Sequence, residues 1–140
     1  MEPRLKLWIE HDGHMALSDY RVQLLQFVQE TGSLARAASR MRLSYRRAWG
    51  KIKELEETLA RPLITSEVGG AGGGHSRLTP DGARLVESYR AFRDRMDEAL
   101  TRGYADLLRD LLEPAEAPAA AGGLPGGAPG DTMQMAHKPV

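Results

Sequence analysis

The stretch "SLARAASRMRLSYRRAWGKI", from Ser33 to Ile52, decides the fold because two helix starts lie within it. Ser33 is a typical N-cap, and the apolar residues after it recur at helical spacing. Those apolar positions are Leu34, Ala37, Ala38 and Met41. Ser44 is placed to cap a second helix, which runs to about Leu59 and is stopped by Pro62. Two helices joined by so short a connection, the second of them basic, predict a helix-turn-helix.

The residues before this stretch predict a hairpin and one further helix. Apolar residues alternate over residues 5–9, and the Asp12-Gly13 pair that follows is typical of a tight hairpin turn. Ser18 is placed to cap the next helix. Gly32 lies where a glycine after the last turn ends a helix.

The residues after this stretch predict a wing. "LITSEV" (Leu63–Val68) reads as a strand, "GGAGGGH" (69–75) as a flexible loop, and "SRL" (76–78) as a returning strand. Thr79 caps a long helix over residues 80–112, with proline at its first position. The predicted fold is therefore mainly α with a small β component: a winged helix-turn-helix with an N-terminal β-hairpin and a long C-terminal helix.

Charge is distributed unevenly along the chain. The full sequence is neutral, with 19 Lys and Arg against 19 Asp and Glu. Between Leu34 and Arg61, however, eight basic residues stand against three acidic ones, a local net charge of +5. Such a segment indicates a surface that faces a polyanion, although a solvated helix face has the same composition.

Composition changes abruptly at Pro114. Residues 114–140 are rich in Pro, Gly and Ala and contain too few large apolar side chains to offset the entropy lost on ordering. We therefore expect one domain over residues 1–113 and a disordered tail over residues 114–140. The chain has no cysteine, which excludes disulfides and thiolate sites. Because no apolar run has signal-peptide or transmembrane length, we expect a cytoplasmic protein with no membrane partner.

The predicted third helix has two distinct faces. Its apolar arc contains Ala48, Ile52, Leu55 and Leu59. The opposite arc contains Arg46, Gly50 and Lys53, with Arg47 at one edge, while Tyr45 and Trp49 lie on the flank. Arginines on the first turns of such a helix suit guanine recognition in the major groove, and a glycine in mid-helix allows close backbone approach. The alternatives are a solvated basic face and, for Trp49, packing between helices.

These motifs resemble a known family. "GSLARAASRMRLSYRRAW" (32–49) resembles the DNA-binding domain of ModE-type, molybdate-responsive transcription regulators. "GGAGGGHSRLTPDG" (69–82) resembles the wing of that family and the start of its next helix. More loosely, the pattern is similar to the winged helix-turn-helix of LysR-type regulators. The resemblance covers about residues 18–95, although Ala71 and His75 depart from the expected wing.

By position, the resemblance implies a recognition helix with a wing tip beside the DNA backbone. Together with the helix face described above, it predicts this DNA-binding set: Ser33, Arg36, Ser44, Tyr45, Arg46, Arg47, Trp49, Gly50, Lys53, Gly72, Gly73, Gly74, His75 and Arg77. Arg36 and Arg77 are expected to hold phosphates, and the partner is double-stranded DNA.

The family also implies a homodimer. Apolar residues of the predicted fourth helix recur at steps of three and four far beyond what a small head domain can cover. The residues expected at the dimer interface are Phe92, Met96, Leu100, Tyr104, Leu107 and Leu111. ModE-type regulators carry C-terminal molybdate-binding domains, but here the Pro/Gly/Ala tail follows instead. We therefore expect those domains to be lacking, and the sequence supports neither molybdate nor another cofactor.

Other readings of the same residues are weaker. The spacing of Gly69, Gly74 and Ser76 matches a phosphate-binding loop, but His75 replaces its lysine and no helix follows at once. His11 and His14 flank the hairpin turn and are more typical of exposed residues than of metal ligands. Met133, Met135 and His137 lie in the tail without further ligands. We expect no metal site, no catalytic site and no enzymatic activity.

The sequence as a whole predicts a sequence-specific DNA-binding transcription regulator of ModE-like type, with molybdenum-related genes as one candidate target set. A protein-interaction or dimerisation module that keeps the winged-helix fold without reading DNA is one alternative. A single-domain regulator that responds to an oxyanion is another.

Overall fold

The computed structural model describes residues 1–67 and 75–115. The elements in chain order are β1 (Trp8–His11), β2 (His14–Ser18), α1 (Asp19–Thr31), α2 (Leu34–Arg40), α3 (Tyr45–Leu59), β3 (Ile64–Glu67), β4 (His75–Leu78), α4 (Pro80–Leu107) and α5 (Arg109–Leu112). The predicted fold class, a winged helix-turn-helix with an N-terminal hairpin and a long C-terminal helix, is confirmed.

The N-terminal hairpin closes through the predicted turn. Asp12 and Gly13 both have positive φ, 50° and 77°, as the tight turns that match strand twist require. The first strand is shorter than expected, because it begins at Trp8 and not at Leu5. The carbonyl of Leu5 instead accepts a hydrogen bond from Arg93 of α4, so the first residues lie against that helix.

Side-chain caps begin four of the helices as the sequence predicts. The hydroxyls of Ser18, Ser33, Ser44 and Thr79 each accept a hydrogen bond of 3.0–3.3 Å from the backbone N–H three residues later. Gly32 ends α1 in the left-handed conformation, with φ 68°. The chain direction therefore changes at positions that local chemistry specifies.

The core lies where α1, α2 and α3 cross. Ala37 and Ala38 of α2 and Ala48 of α3 are almost completely buried, and α2 packs directly on α3. Larger side chains fill the space around them: Leu24, Leu25, Val28, Leu34, Ile52, Leu55 and Leu63. Val86 and Tyr89 cover this core from the side of α4.

The wing strands β3 and β4 pair antiparallel, from Ile64 opposite Leu78 to Glu67 opposite His75. The N–H of Ser76 donates a 2.9 Å hydrogen bond to the carbonyl of Gly32, which attaches the wing to the corner between α1 and α2. Residues 68–74, which include the predicted Gly72, Gly73 and Gly74 contacts, lie outside the described residues.

The long C-terminal helix is interrupted, and the predicted single helix over residues 80–112 is wrong at Leu108. That residue has φ −126° and ψ −28°, and α5 follows it. Beyond the interruption, Glu113 accepts a hydrogen bond of 3.2 Å from the Tyr104 hydroxyl and pairs with the Met1 amino group at 2.7 Å. These contacts stabilise the interruption of the helix. They could not be predicted from the spacing of apolar residues in the sequence. Most of the predicted tail, residues 116–140, lies outside the described residues.

Gly82 makes the closest approach between α4 and the head. A Cβ atom added there would lie 2.2 Å from the Leu63 carbonyl oxygen, whereas one added at Gly103 would meet nothing within 4 Å. Gly82→Ala should therefore lower the free energy of unfolding by about 1–3 kcal/mol through overpacking. Gly103→Ala, the matched control, should raise it by up to about 1 kcal/mol, because alanine is the better helix former.

Urea unfolding followed by circular dichroism measures both effects. A Gly82→Ala variant as stable as the wild type would show that the contact with Leu63 does not constrain α4.

Candidate nucleic-acid interface

The exposed side of α3 carries the predicted reading residues. Ala48, Ile52 and Leu55 are buried, as the helical periodicity predicts. Arg46 and Arg47 lie on the first turn and are exposed. The aromatic residues that flank them in sequence are exposed as well, Tyr45 to 55% and Trp49 to 46%. Trp49 is therefore neither fully packed between helices nor fully open to solvent.

The cations of this surface are unevenly paired. Arg36, Arg46 and Arg47 make no ion pair with any residue in the ranges 1–67 and 75–115. By contrast, Arg40 pairs with Glu30 at 2.8 Å, and Arg61 lies 3.5 Å from Asp81. Positive charge is therefore least compensated at the start of α2 and the start of α3.

Acidic residues of α3 are held away from its first turn. Glu54 lies 3.3 Å from Arg21, whose side chain is almost buried and also donates to the Ala16 carbonyl. Glu56 pairs with Lys53 at 2.9 Å. These pairs leave the electrostatic potential around Arg46 dominated by cations.

Lys53 and Trp49, both predicted contacts, lie together. The Lys53 ammonium is 5.6 Å from the centroid of the Trp49 ring, within cation–π range. Because this lysine also pairs with Glu56, it is bound within the protein more firmly than Arg46. The structure therefore engages Lys53 and Trp49 in contacts within the chain, whereas Arg46 makes no ion pair among the described residues.

Gly50 has no packing reason to be glycine. A Cβ atom added there would meet nothing within 4 Å, and its backbone has an ordinary helical conformation. The cost of glycine in mid-helix, roughly 1 kcal/mol relative to alanine, is therefore unexplained by contacts within the described chain. A close approach by another molecule would explain it.

The wing and the start of α2 meet beside this helix. Ser33 and Arg77 each lie one residue from the hydrogen bond that joins Ser76 to Gly32. Arg36, on the first turn of α2, is exposed, and so are Arg77 and His75 on β4. The fold thus joins the backbone next to Ser33 to the backbone next to Arg77, while the wing tip lies outside the described residues.

Two further cations of this segment lie in different places, Arg42 just before α3 and Lys51 beside α1, and no motif in the sequence assigns either position. Arg42 is exposed in the turn before α3 with φ 55°. Lys51 lies 5.5 Å from the centroid of the Tyr20 ring. A positive φ is uncommon for arginine, so no sequence signal indicates that turn geometry.

The predicted dimer residues divide into two groups. Phe92, Leu107 and Leu111 are exposed, the last to 80%. Met96 and Leu100 are partly buried. Tyr104 is only 8% exposed, its hydroxyl donates to Glu113, and the Arg109 guanidinium lies over its ring. Its ring is therefore covered within the chain, which corrects its expected place on an open apolar face.

Glu56 fixes the distance between α3 and the wing. Its carboxylate accepts a 2.7 Å hydrogen bond from the N–H of Leu63 and a longer one from Ile64. Burial by itself would raise the pKa of Glu56, but these hydrogen bonds and the Lys53 ion pair outweigh it and hold the pKa below 4.5. The charged carboxylate therefore stabilises the folded state.

Features typical of other kinds of site are few. Among residues 1–67 and 75–115, no three His, Cys, Asp or Glu side chains converge as metal ligands would. His11 and His14 lie opposite each other across the hairpin, with a His11 ring nitrogen 3.3 Å from Asp12. Over the same residues, no helix combines the length and apolarity needed to span a bilayer.

This fold and its exposed basic helix define a winged helix-turn-helix DNA-binding domain. Residues 20–83 match the family model described as the bacterial regulatory helix-turn-helix protein of the lysR family. The chain therefore contains a LysR-type helix-turn-helix domain, as the resemblance in sequence implied.

Two relatives extend the comparison. The chain is 37% identical over 97 residues to the molybdenum transport protein ModE of Azotobacter vinelandii, covering 69% of this chain and 36% of that protein. It is 36% identical over 98 residues to the molybdenum-pterin-binding protein MopB of Rhodobacter capsulatus, covering 65% of this chain and 36% of the relative. The resemblance to ModE-type proteins is thus confirmed for the DNA-binding part, and the chain spans about a third of the length of these relatives.

A solved structure matches the fold. The DNA-binding domain of CbnR in complex with DNA superposes with a TM-score of 0.50 at 22% identity. The match covers 64% of this chain and 98% of that one. At this identity the likeness supports the architecture alone.

The contacts of Glu56 predict a pH-dependent contribution to stability. Because its folded-state pKa is lowered, the contribution is present above the unfolded value near 4.5 and is lost as pH falls through the folded value. Glu56→Gln should lower the unfolding free energy by about 1 kcal/mol at pH 7, since a charge-assisted bond becomes a neutral one. The difference from wild type should shrink below pH 4.5.

Chemical unfolding of both proteins between pH 3 and 7 measures this difference, with Glu57→Gln as an exposed control on the same helix. A constant difference across that range would contradict a role for the Glu56 charge.

Proposed function

We propose that the protein is a cytoplasmic, sequence-specific transcription regulator that binds double-stranded DNA as a homodimer. In this proposal the N-terminal half of α3 enters the major groove. The observation that carries it is the exposed pair Arg46 and Arg47, on the first turn of the helix and without an acidic partner in the described chain.

The first turns of α3 suit groove reading in both geometry and chemistry. An arginine can donate two hydrogen bonds to the O6 and N7 atoms of guanine, and Arg46 lies opposite the buried face of the helix. Ser44 and Tyr45 lie where the helix would cross the edge of the groove, so their hydroxyls are suited to phosphate oxygens. The helix N-terminus adds a favourable dipole for phosphate.

Phosphate contacts around the groove would fix the register of α3. Arg36 at the start of α2 and Arg77 on β4 are both exposed, and the Ser76–Gly32 hydrogen bond joins the backbone near them. These residues carry no base specificity, but each phosphate they neutralise releases counterions. Affinity should therefore fall steeply as salt concentration rises.

Dimer formation would use the exposed apolar side of α4. Its 28 residues span about 42 Å, which is longer than the head it covers. Phe92 and Leu107 are exposed along this helix, and Gly103, with no atom near its missing Cβ, allows close approach of a second helix. Two-fold symmetry would then place two copies of α3 about 34 Å apart on one face of DNA.

The target genes are the least constrained part of the proposal. The names of the relatives in Azotobacter and Rhodobacter concern molybdenum, which supports molybdenum-related genes as the first set to test. The proposed DNA contacts require no metal or cofactor. Molybdate is therefore best included in binding experiments as an added compound and not as a requirement.

Removal of the two arginines should abolish specific binding. After selection of bound fragments from the source genome, Arg46→Ala/Arg47→Ala should weaken binding to the enriched site by about 1–3 kcal/mol for each arginine that reads a base. If one of them binds phosphate instead, the slope of log affinity against log salt should fall by about 0.9. Fluorescence anisotropy at several salt concentrations, with and without molybdate, measures both quantities.

The matched control is Arg90→Ala/Arg95→Ala, which likewise removes two exposed arginines, here from α4. An equal drop in affinity in control and test variants would mean that overall charge drives binding. If no genomic site is enriched with the wild type, the proposal fails and a protein partner becomes the better candidate.

Gly50→Ala should separate stability from function. Because nothing surrounds the position, alanine should raise the free energy of unfolding by up to about 1 kcal/mol. The added methyl group should nevertheless weaken specific DNA binding, because it occupies space at the centre of the proposed contact. Unfolding and anisotropy measurements on the same preparation test this opposition, and unchanged affinity would place Gly50 outside the interface.

A further inference from the structure

Besides the apolar contacts of the buried Val86, helix α4 is attached to the head by polar contacts at two separate places. The first lies at its start, where the N–H of Thr79 donates to the Leu63 carbonyl at 2.9 Å and the Thr79 hydroxyl donates to Pro62 at 2.7 Å. Gly82 packs against the same Leu63 backbone. These contacts fix a point through which α4 must pass, but one point does not fix the direction of a helix.

The second attachment is a polar cluster formed by Asp19, Tyr89 and Arg93. The Tyr89 hydroxyl donates a 2.5 Å hydrogen bond to Asp19, the first residue of α1. Arg93, one turn further along α4, lies 3.3 Å from the other carboxylate oxygen of Asp19. Because Tyr89 is only 5% exposed, the donor bond is protected from water on the α4 side.

Arg93 also joins two other parts of the chain. One guanidinium nitrogen donates to the Leu5 carbonyl at 2.8 Å, and another donates to Asp97 at 3.3 Å. Burial, together with the hydrogen bond to Asp19, raises the pKa of Tyr89, so the hydroxyl stays protonated and remains a donor. The cluster is therefore intact at neutral pH.

The start of α1 connects this cluster to α3. Two residues after Asp19, the nearly buried Arg21 lies 3.3 Å from Glu54 of α3. Charged contacts therefore run from α3 through Arg21 and the first turn of α1 to Asp19, and from there to α4. The direction of α4 is therefore fixed relative to α3, the helix that carries the proposed DNA-reading residues.

We propose that the Asp19–Tyr89–Arg93 cluster is a positioning device that sets the angle between α4 and α3, and with it the half-site spacing that the dimer accepts. This inference rests on the proposed function. Tyr89 and Arg93 touch no DNA in it and act only through the direction of α4.

Because α4 is long, a small change in its angle moves its far end by a large distance. The two attachments, Gly82 and Arg93, are about 16 Å apart along the helix, while Leu107 lies about 37 Å from Gly82. A rotation of about 10° around the first attachment would move the far end by about 6 Å. Because the base-pair rise is about 3.4 Å, that displacement corresponds to about two base pairs of spacing.

Directional bonds suit this role better than apolar contacts would. The hydrophobic effect is non-directional, whereas a hydrogen bond weakens steeply when its geometry changes. Polar groups within a packed interface specify one arrangement among several apolar ones in some proteins. Here the Tyr89–Asp19 and Arg93–Leu5 hydrogen bonds are the directional contacts, and the Arg93–Asp19 contact adds an ion pair without hydrogen-bond geometry.

DNA duplexes with two half-sites at varied spacing test the inference. Tyr89→Phe and Arg93→Gln should leave affinity for a single half-site unchanged. The wild type should prefer its best spacing by about tenfold or more over a spacing two base pairs different, and the variants should lose most of that preference. The control is Arg90→Gln, which alters an exposed residue of α4 that has no ion pair or side-chain hydrogen bond among the described residues.

A distance measurement tests the same inference without DNA. Because the chain has no cysteine, spin labels at Gln29→Cys on α1 and Arg102→Cys on α4 are unambiguous. Labelled protein diluted into unlabelled protein should give a narrow intrachain distance distribution. Tyr89→Phe and Arg93→Gln should broaden or shift it, and Arg90→Gln should not.

The outcomes separate the two proposals. Wild-type protein that fails to bind any half-site contradicts the proposed function, whereas unchanged distances in Tyr89→Phe and Arg93→Gln overturn the positioning role. Unchanged spacing preference in both variants also overturns it. If Arg93→Gln unfolds, the milder Tyr89→Phe still decides the question.

Discussion

The structure depends on the close contact of α2 with α3, which only small side chains permit. Ala37, Ala38 and Ala48 are almost completely buried at this contact, and larger residues would hold the two helices apart. Because the contact fixes one side of α3 against the core, the other side must face outward. The exposure of Arg46 and the open space beside Gly50 are therefore consequences of packing beneath them.

Much of this arrangement could be predicted because it is encoded locally. A serine before a helix, a glycine after one and an Asp-Gly pair in a hairpin each act within a few residues, so Ser33, Ser44 and Gly32 identified their elements correctly. The outward position of Arg46 followed from periodicity in the same way. The glycine at position 50, by contrast, could be interpreted only once the structure showed that no atom lies near its missing Cβ.

Other features could not be predicted, because they depend on residues far apart in sequence. Arg93 meets Leu5 and Asp19, and Tyr104 bonds to Glu113 beyond the interruption, so no periodicity within α4 distinguishes them from the exposed Phe92. The end of α3 at Ala60 lacks the usual glycine, although its φ is 52°. The interruption at Leu108 likewise has no glycine or proline to mark it. These features belong to tertiary structure.

The most direct test of DNA reading by α3 is atomic substitution in the DNA that the protein selects from a random library. Replacing each guanine in turn by 7-deazaguanine removes the N7 acceptor from the major groove and leaves base pairing intact. If Arg46 or Arg47 reads guanine, affinity should fall about 5- to 150-fold at one or two positions in each half-site and remain unchanged elsewhere. A uniform response at all guanines would contradict reading by α3 in the major groove.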